Sequence, residues 1–395
     1  MKYLKQKNHN LSAFLACLLI PISGFAMDVY IPSFPDMALS LGTTADNIQF
    51  TLTIFLLSYG ISQLFVGALL DSYGRYNLHI ASLAVFVLSC VCIYFSHDIY
   101  IIYLMRLIQG ITIAVIVVAK RVLFIDIFTG DKQKKYVSMV TVIWSTAPII
   151  APFAGGYLQA SFGWRSNFLF LGIYGLVMLL LELRYSGETI QKQQALKFKP
   201  VVSMYKELLR SPQFLIGIGI LAFSYGMVMV FGMSMPFIVE DVFGRSSIVT
   251  GYSALASGVA IFLGGLLSRA WVDKPFLYKL TLANSLQLLA TILMIFTVGA
   301  YMNLYTILIF VVIIHFWQGL TYNTYFTYTL TTFPKYAGTA SGLASGGSFI
   351  IFSFLSFLVV HTLHITDQLT LGYSYAFFVV SAGFLLLTLR YYLKK

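Results

Sequence analysis

The chain has 395 residues, of which 59% are hydrophobic and only 10% are charged, with a net charge of +11. A soluble domain carries about 25% charged residues, so this chain cannot coat a water-facing surface and is a membrane protein. Its basic residues stand in alternate loops, in "MKYLKQK", "GDKQKK", residues 184–210, "WVDKPFLYK" and "YYLKK". That is the charge bias of loops on the inner side of a membrane, not a nucleic-acid patch.

Long apolar segments, each near the ~20 residues a bilayer helix needs, are expected at 11–34, 48–70, 78–96, 99–125, 136–159 and 165–184. A second set follows at 212–239, 247–270, 276–298, 303–332, 338–361 and 371–391. Twelve spans put both termini on one side. Loops 35–47, 97–98, 299–302 and 362–370 hold no Lys or Arg, and only Arg165 and Arg245 break the alternation, so that side is the cytoplasm. The polar stretch "RYSGETIQKQQALKFKPVVSMYKELLRSP" divides the chain into a six-helix half at 1–184, a cytoplasmic linker at 185–211 with a short amphipathic helix near 201–209, and a second half at 212–395. The start "MKYLKQK" followed by an apolar run loosely resembles a signal peptide, but cleavage after Ala26 would destroy the first span, and it is read as retained.

The first span contains "GFAMDVYIPSFP". An acid at the bilayer centre costs about 2.5–3.5 kcal/mol on insertion scales, which makes Asp28 a functional candidate. Asp28 lies ~9 Å from the outer end of its span, and Arg106, in an antiparallel fourth span, lies ~10 Å from the same face. The matched depths predict a pair: either a permanent tie between helices or a carboxylate whose proton affinity changes with solvation and with the Arg106 distance. Cys17, Cys90 and Cys92 sit in apolar runs and are read as buried hydrophobes, not as a disulfide or metal set. Neither a metal nor a cofactor is expected, and no nucleophile–base constellation suggests an enzyme.

"GALLDSYGRYN" after the second span supplies Gly67, Asp71, Gly74 and Arg75, a G-x-x-x-D-x-x-G-R spacing. The two glycines are read as permitting a tight turn and the charges as a conformational latch, with Asp126 at the end of the fourth span as partner for Arg75. "RLIQGITIA" gives Arg106, Gln109 and Gly110, and "APIIAPFAGGYL" gives Pro148, Pro152, Gly155 and Gly156, which would kink the fifth span and let it pack closely. These segments resemble the loop motif, the R-x-x-Q-G motif and the antiporter motif of the major facilitator transporters. "MDVYIPSFP" and "FPKYAGTASGL" (333–343) resemble segments of the Bcr/CflA drug-resistance group within them. The resemblance implies an all-α major facilitator fold of twelve helices in two pseudo-symmetric halves. It further implies a bacterial inner-membrane protein, monomeric, that exports small amphipathic compounds in exchange for protons.

The substrate cavity is expected to include Tyr30 and Gln109 from the first half and a stripe on the tenth span, "HFWQGLTYNTYFTYTL". There His315, Gln318, Tyr322 and Tyr325 recur at intervals of 3, 4 and 3 along one face, with Asn323 and Tyr328 beside them. The alternatives are core packing for the aromatics and an interhelical bond for His315, while His361 reads as interfacial. Lys120, nearly four turns after Arg106, reads as snorkelling to the cytoplasmic edge beside Arg121, or else as part of the cavity floor that attracts an anion. The latter, with the apolar Ile20 where some drug antiporters carry a second acid, keeps an alternative open: a dedicated transporter for a metabolite such as a carboxylate siderophore or an amino acid.

Overall fold

The computed structural model describes residues 2–190, 198–299, 302–332 and 337–394. The first span is not one helix. It runs as α1 (His9–Leu19), α2 (Ile22–Asp28), a 3-10 turn (Ile31–Ser33) and α3 (Phe34–Ser40). The prolines set these breaks. Pro32 has no N–H to give the Asp28 carbonyl four residues earlier, and its ring crowds that oxygen, so α-helix stops at Asp28. The expected end near Phe34 is therefore too early, because the apolar helical stretch continues to Ser40. Depth counted along an unbroken helix does not apply to Asp28.

The remaining spans follow the hydrophobic pattern closely. They are α4 (Ala45–Tyr73), α5 (Arg75–Phe95), α6 (Ile99–Ile127), α7 (Gly130–Phe162) and α8 (Arg165–Tyr185). An amphipathic α9 (Phe198–Leu209) leads to α10 (Pro212–Phe237), α11 (Ser247–Ala270), α12 (Phe276–Phe296), α13 (Leu304–Thr332), α14 (Ala337–Leu363) and α15 (Gln368–Lys394). Among the described residues, eleven stretches are long and apolar enough to cross a membrane. The expected fifth span falls in α7, several of whose side chains lie outside the description, as do the first four residues of "FPKYAGTASGL".

By its internal contacts the chain divides into two compact units, Met1–Pro200 and Val201–Lys395. Each repeats one packing scheme. In the first unit α4 packs on α6, and α5 on both α6 and α8; in the second α11 packs on α13, and α12 on both α13 and α15. The broken first span packs on α6, α7 and α8 much as α10 packs on α13, α14 and α15. This is the internal repeat of a transporter architecture.

Small residues decide where backbones meet. A Cβ on Gly110 would strike Ser58 and the Phe55 carbonyl of α4, and one on Gly264 or Gly319 would strike the facing carbonyl between α11 and α13. Gly155 lies against the Val29 carbonyl, so α7 touches the backbone immediately after Asp28. Gly67, by contrast, sits inside α4 with nothing within 4 Å of an added Cβ. The expectation that Gly67 shapes the turn is corrected: Gly74, at φ 93°, makes that turn alone. Gly155→Ala should lower stability by about 1–3 kcal/mol through overpacking, whereas Gly67→Ala should raise it by up to about 1 kcal/mol. Thermal unfolding in detergent measures both.

Candidate functional site

Arg106 is wholly buried and, among the described residues, has no carboxylate within ion-pair distance. Its Nη1 donates to the Ala26 carbonyl at 2.9 Å and to Gln109 Oε1 at 2.8 Å. Its guanidinium carbon lies 4.4 Å from the Tyr30 ring centre and 4.2 Å from that of Phe55, within cation–π range. Nε and Nη2 have no hydrogen-bond partner among the described residues. Gln109 is held in turn by donating to Cys90 Sγ at 3.3 Å. Thr51 donates its hydroxyl proton to the Ile48 carbonyl at 2.6 Å, which leaves the Tyr30 hydroxyl to donate to Thr51 Oγ1 at 2.9 Å. Tyr30 also packs on Phe34 and on Phe168 of α8, so the ring over Arg106 is fixed from several sides.

Asp28 is buried, and its Oδ2 has no hydrogen-bond partner among the described residues. Among the described residues, no cation lies within the 4.0 Å of an ion pair. The expected pairing with Arg106 is thus not made in this structure, and the reason is angular. Ala26 and Tyr30, which hold Arg106, stand one turn apart on one side of the segment. Asp28, two residues from each, leaves about 200° round from them.

On the turn between α4 and α5, Arg75 Nη2 pairs with Asp71 Oδ1 at 3.0 Å and Nη1 pairs with Asp126 Oδ2. The segment after α8 joins this cluster. Glu188 accepts from the Tyr76 amide in the first turn of α5 at 3.0 Å, and Thr189 donates to Asp126. Pro148 and Pro152 lie inside α7, and Gly24 of α2 closes on Ala147 and Pro148, so the proline–glycine segment is the partner of the broken first span. Gly156, next to Gly155, is buried in the same helix.

In the second unit the stripe on α13 divides. His315 is buried between Ser257 Oγ at 2.7 Å on Nδ1 and the Tyr375 hydroxyl at 3.2 Å on Nε2, tying α13 to α11 and α15. Tyr325 is buried, donates to the Gln213 carbonyl at 2.9 Å and fills the space that Gly217 leaves. Both serve interhelical packing here. Asn323 donates to the Gly319 carbonyl of its own helix at 2.9 Å. Tyr322 lies half-buried against Tyr225, its ring centre 5.7 Å away. Gln318 is buried with neither amide atom partnered among the described residues.

Lys120 needs correction. It neither snorkels nor stands free to draw an anion: it is 3% exposed, and Nζ donates to Glu182 Oε2 at 2.6 Å. Glu182 was missed although its signal is plain, an acid inside the apolar run "VMLLLELRY". Phe55 and the Ala26 carbonyl carried no signal, because an aromatic ring or a backbone oxygen becomes a cation partner only through packing.

The repeated helical packing and the buried charges define a multi-pass membrane transporter, not an enzyme. The chain belongs to the Major Facilitator Superfamily, whose sequence model matches residues 16–356. It is 28% identical over 355 residues to the uncharacterized MFS-type transporter YdgK of Bacillus subtilis, covering 88% of each chain. It is 25% identical to the bicyclomycin resistance protein homolog of Haemophilus influenzae, covering 89% of this chain and 90% of that one. It is 26% identical to multidrug resistance protein D of Escherichia coli, covering 87% and 86%. The fold matches a bacterial homolog of the human lysosomal transporter Spinster with a TM-score of 0.76 at 15% identity, over 99% of this chain and 98% of that one. It matches a D-xylose–proton symporter at 0.71 and 14%, over 95% and 96%.

Lys120→Met should destabilise the protein by about 3–5 kcal/mol by leaving Glu182 buried and unpaired, and Lys120→Met with Glu182→Leu should recover most of the loss. Unfolding temperatures of the two variants check this; equal losses would contradict it.

Proposed function

We propose that this chain is a proton-coupled antiporter that exports small amphipathic, drug-like compounds from the bacterial cytoplasm by alternating access. It works in the inner membrane as a monomer, with both termini cytoplasmic. The observation that carries the reading is Asp28: a buried carboxylate without an ion-pair partner among the described residues, at the end of a broken helix, beside a segment that holds a buried arginine by other means. Such a group exchanges a proton when its solvation changes, whereas a carboxylate locked onto a cation would not. The names of the relatives, bicyclomycin resistance protein homolog and multidrug resistance protein D, support drugs as the substrate class.

The coupling logic follows from the geometry. Asp28 closes α2, and the backbone just beyond it touches Gly155 of α7. A shift of α7 against α2 therefore moves the carboxylate's surroundings directly. The latch of Asp71, Gly74, Arg75 and Asp126 would hold one conformation closed. Tyr322, Asn323 and Gln318, whose amide has no hydrogen-bond partner among the described residues, remain as substrate contacts, while Tyr30 and Gln109 act by fixing Arg106. The metabolite alternative drew on a free Lys120 together with the apolar Ile20, and Lys120 is paired with Glu182.

In energised inside-out vesicles, cationic and neutral amphipathic drugs should dissipate the proton gradient with the wild type. Asp28→Asn should reach the membrane in equal amount and give none of that response. Undiminished dissipation in Asp28→Asn would remove Asp28 from coupling; a response to carboxylates alone would overturn the drug reading.

A further inference from the structure

Under the latch lies a second set of buried ionisable groups that the antiport reading does not use. Glu182 of α8 is 0% exposed, and its Oε2 takes the Lys120 ammonium at 2.6 Å. His79 of α5, 1% exposed, brings Nε2 to 3.6 Å from the same oxygen. Lys120 and Glu182 satisfy each other's charge. The imidazole has no hydrogen-bond partner on either nitrogen among the described residues, and Glu182 Oε1 has none either. A narrow cavity with room for about one water reaches this group and is lined by Arg75, Tyr76, His79, Lys120, Ser186 and Thr189. Buried polar atoms left unpaired are costly, so the cluster is built for an occupant.

The segment after α8 roofs the cavity. Glu188 pairs through its backbone with Lys2 and Leu4, and its carboxylate accepts from the Tyr76, Thr189 and Ile190 amides at 3.0 Å. Thr189 fastens the roof to Asp126, the carboxylate that also takes Arg75. Opening the latch therefore loosens the roof.

The charged groups nearest the imidazole are Glu182 from α8 and its partner Lys120 from α6. Arg75 and Tyr76 of its own helix line the same cavity, and Asp71, Asp126, Glu188 and Lys2 belong to the latch and roof beyond them. Histidine is the side chain whose charge ordinarily changes between pH 5 and 8.

We propose that His79 is a second proton-carrying residue of this transporter, exchanging its proton with water at the latch end of the bundle when the 186–190 roof lifts. The neutral ring carries its proton on Nε2, the nitrogen facing the Glu182 carboxylate, and the second N–H bond forms at Nδ1. The proton comes from hydronium in the cavity and returns to water on the reverse step, while Lys120 and Glu182 keep their charges. The 3.6 Å contact then becomes a second ion pair on Glu182. The role in transport rests on the antiport reading; the titration does not.

The test is imidazole NMR of the full-length chain in nanodiscs, with histidine labelled. His79 is assigned by its loss in His79→Gln or, should that variant not fold, by elimination through single substitutions of the other five histidines. The spectra are taken from pH 8 to 5 on the wild type and on Thr189→Val, which removes a roof bond without changing charge. Reversible protonation of His79 in either protein is the expected result. A neutral imidazole across the range in both overturns the proposal. In proteoliposomes, the dependence of proton flux on pH at that face should lose one titrating limb in His79→Gln. An unchanged profile removes His79 from coupling. Absence of coupled flux in the wild type defeats the antiport reading instead and leaves the titration standing.

Discussion

Arg106 is a full charge in a fully buried position, and the first unit is organised around keeping it there without a carboxylate. A buried guanidinium is tolerable only if its donors and its charge are met. Here the charge is met by two aromatic faces and a carbonyl freed from strict helix geometry, and the first donors by Ala26 and Gln109. Each partner is itself fixed: Tyr30 by Thr51 and Phe168, Gln109 by Cys90, and the carbonyl by its place in the short α2. The consequence is that Asp28 stays unpaired. Had Arg106 been balanced by Asp28, the acid would have been a structural element with no freedom to exchange a proton.

The same contrast separates the two buried acids of the unit. Glu182 has its cation at 2.6 Å and cannot act alone, so any proton chemistry near it falls to His79. Asp28 has no cation within ion-pair distance among the described residues and sits where proline has broken the helix. One fold thus holds a paired acid near the latch and an unpaired acid at the helix break. Both stand beside an element that can move: the 186–190 segment for the first, α7 for the second. This is how a transporter links local charge to large rearrangement, since a packed bundle switches between discrete arrangements and does not deform continuously.

Much of this was legible from the chain. Span positions followed hydropathy because a bilayer leaves a helix no other way to satisfy its backbone, and the pairing of Arg75 with Asp126 followed from charges placed at adjoining helix ends. The breaks at Pro21 and Pro32 were visible as residues, but an unbroken helix was assumed, and with it a depth for Asp28 that the structure does not keep. Depth matching also said nothing about which way a side chain leaves its helix, which is why Asp28 and Arg106 looked like partners. His315 and Tyr325 share a helix face with Gln318 as their spacing predicts, yet packing, which the chain alone does not disclose, gave two of them partners and left the third without one among the described residues.

The most direct test of the unpaired Asp28 is proton release on substrate binding. Purified protein in weak buffer, with a pH-indicator dye, is mixed with a drug that the vesicle assay has shown to be transported. The wild type should release a proton as the drug binds, and Asp28→Asn should bind the drug and release none. Equal release from both proteins would mean that another group carries the proton, and that the unpaired carboxylate beside Arg106 is not the coupling site.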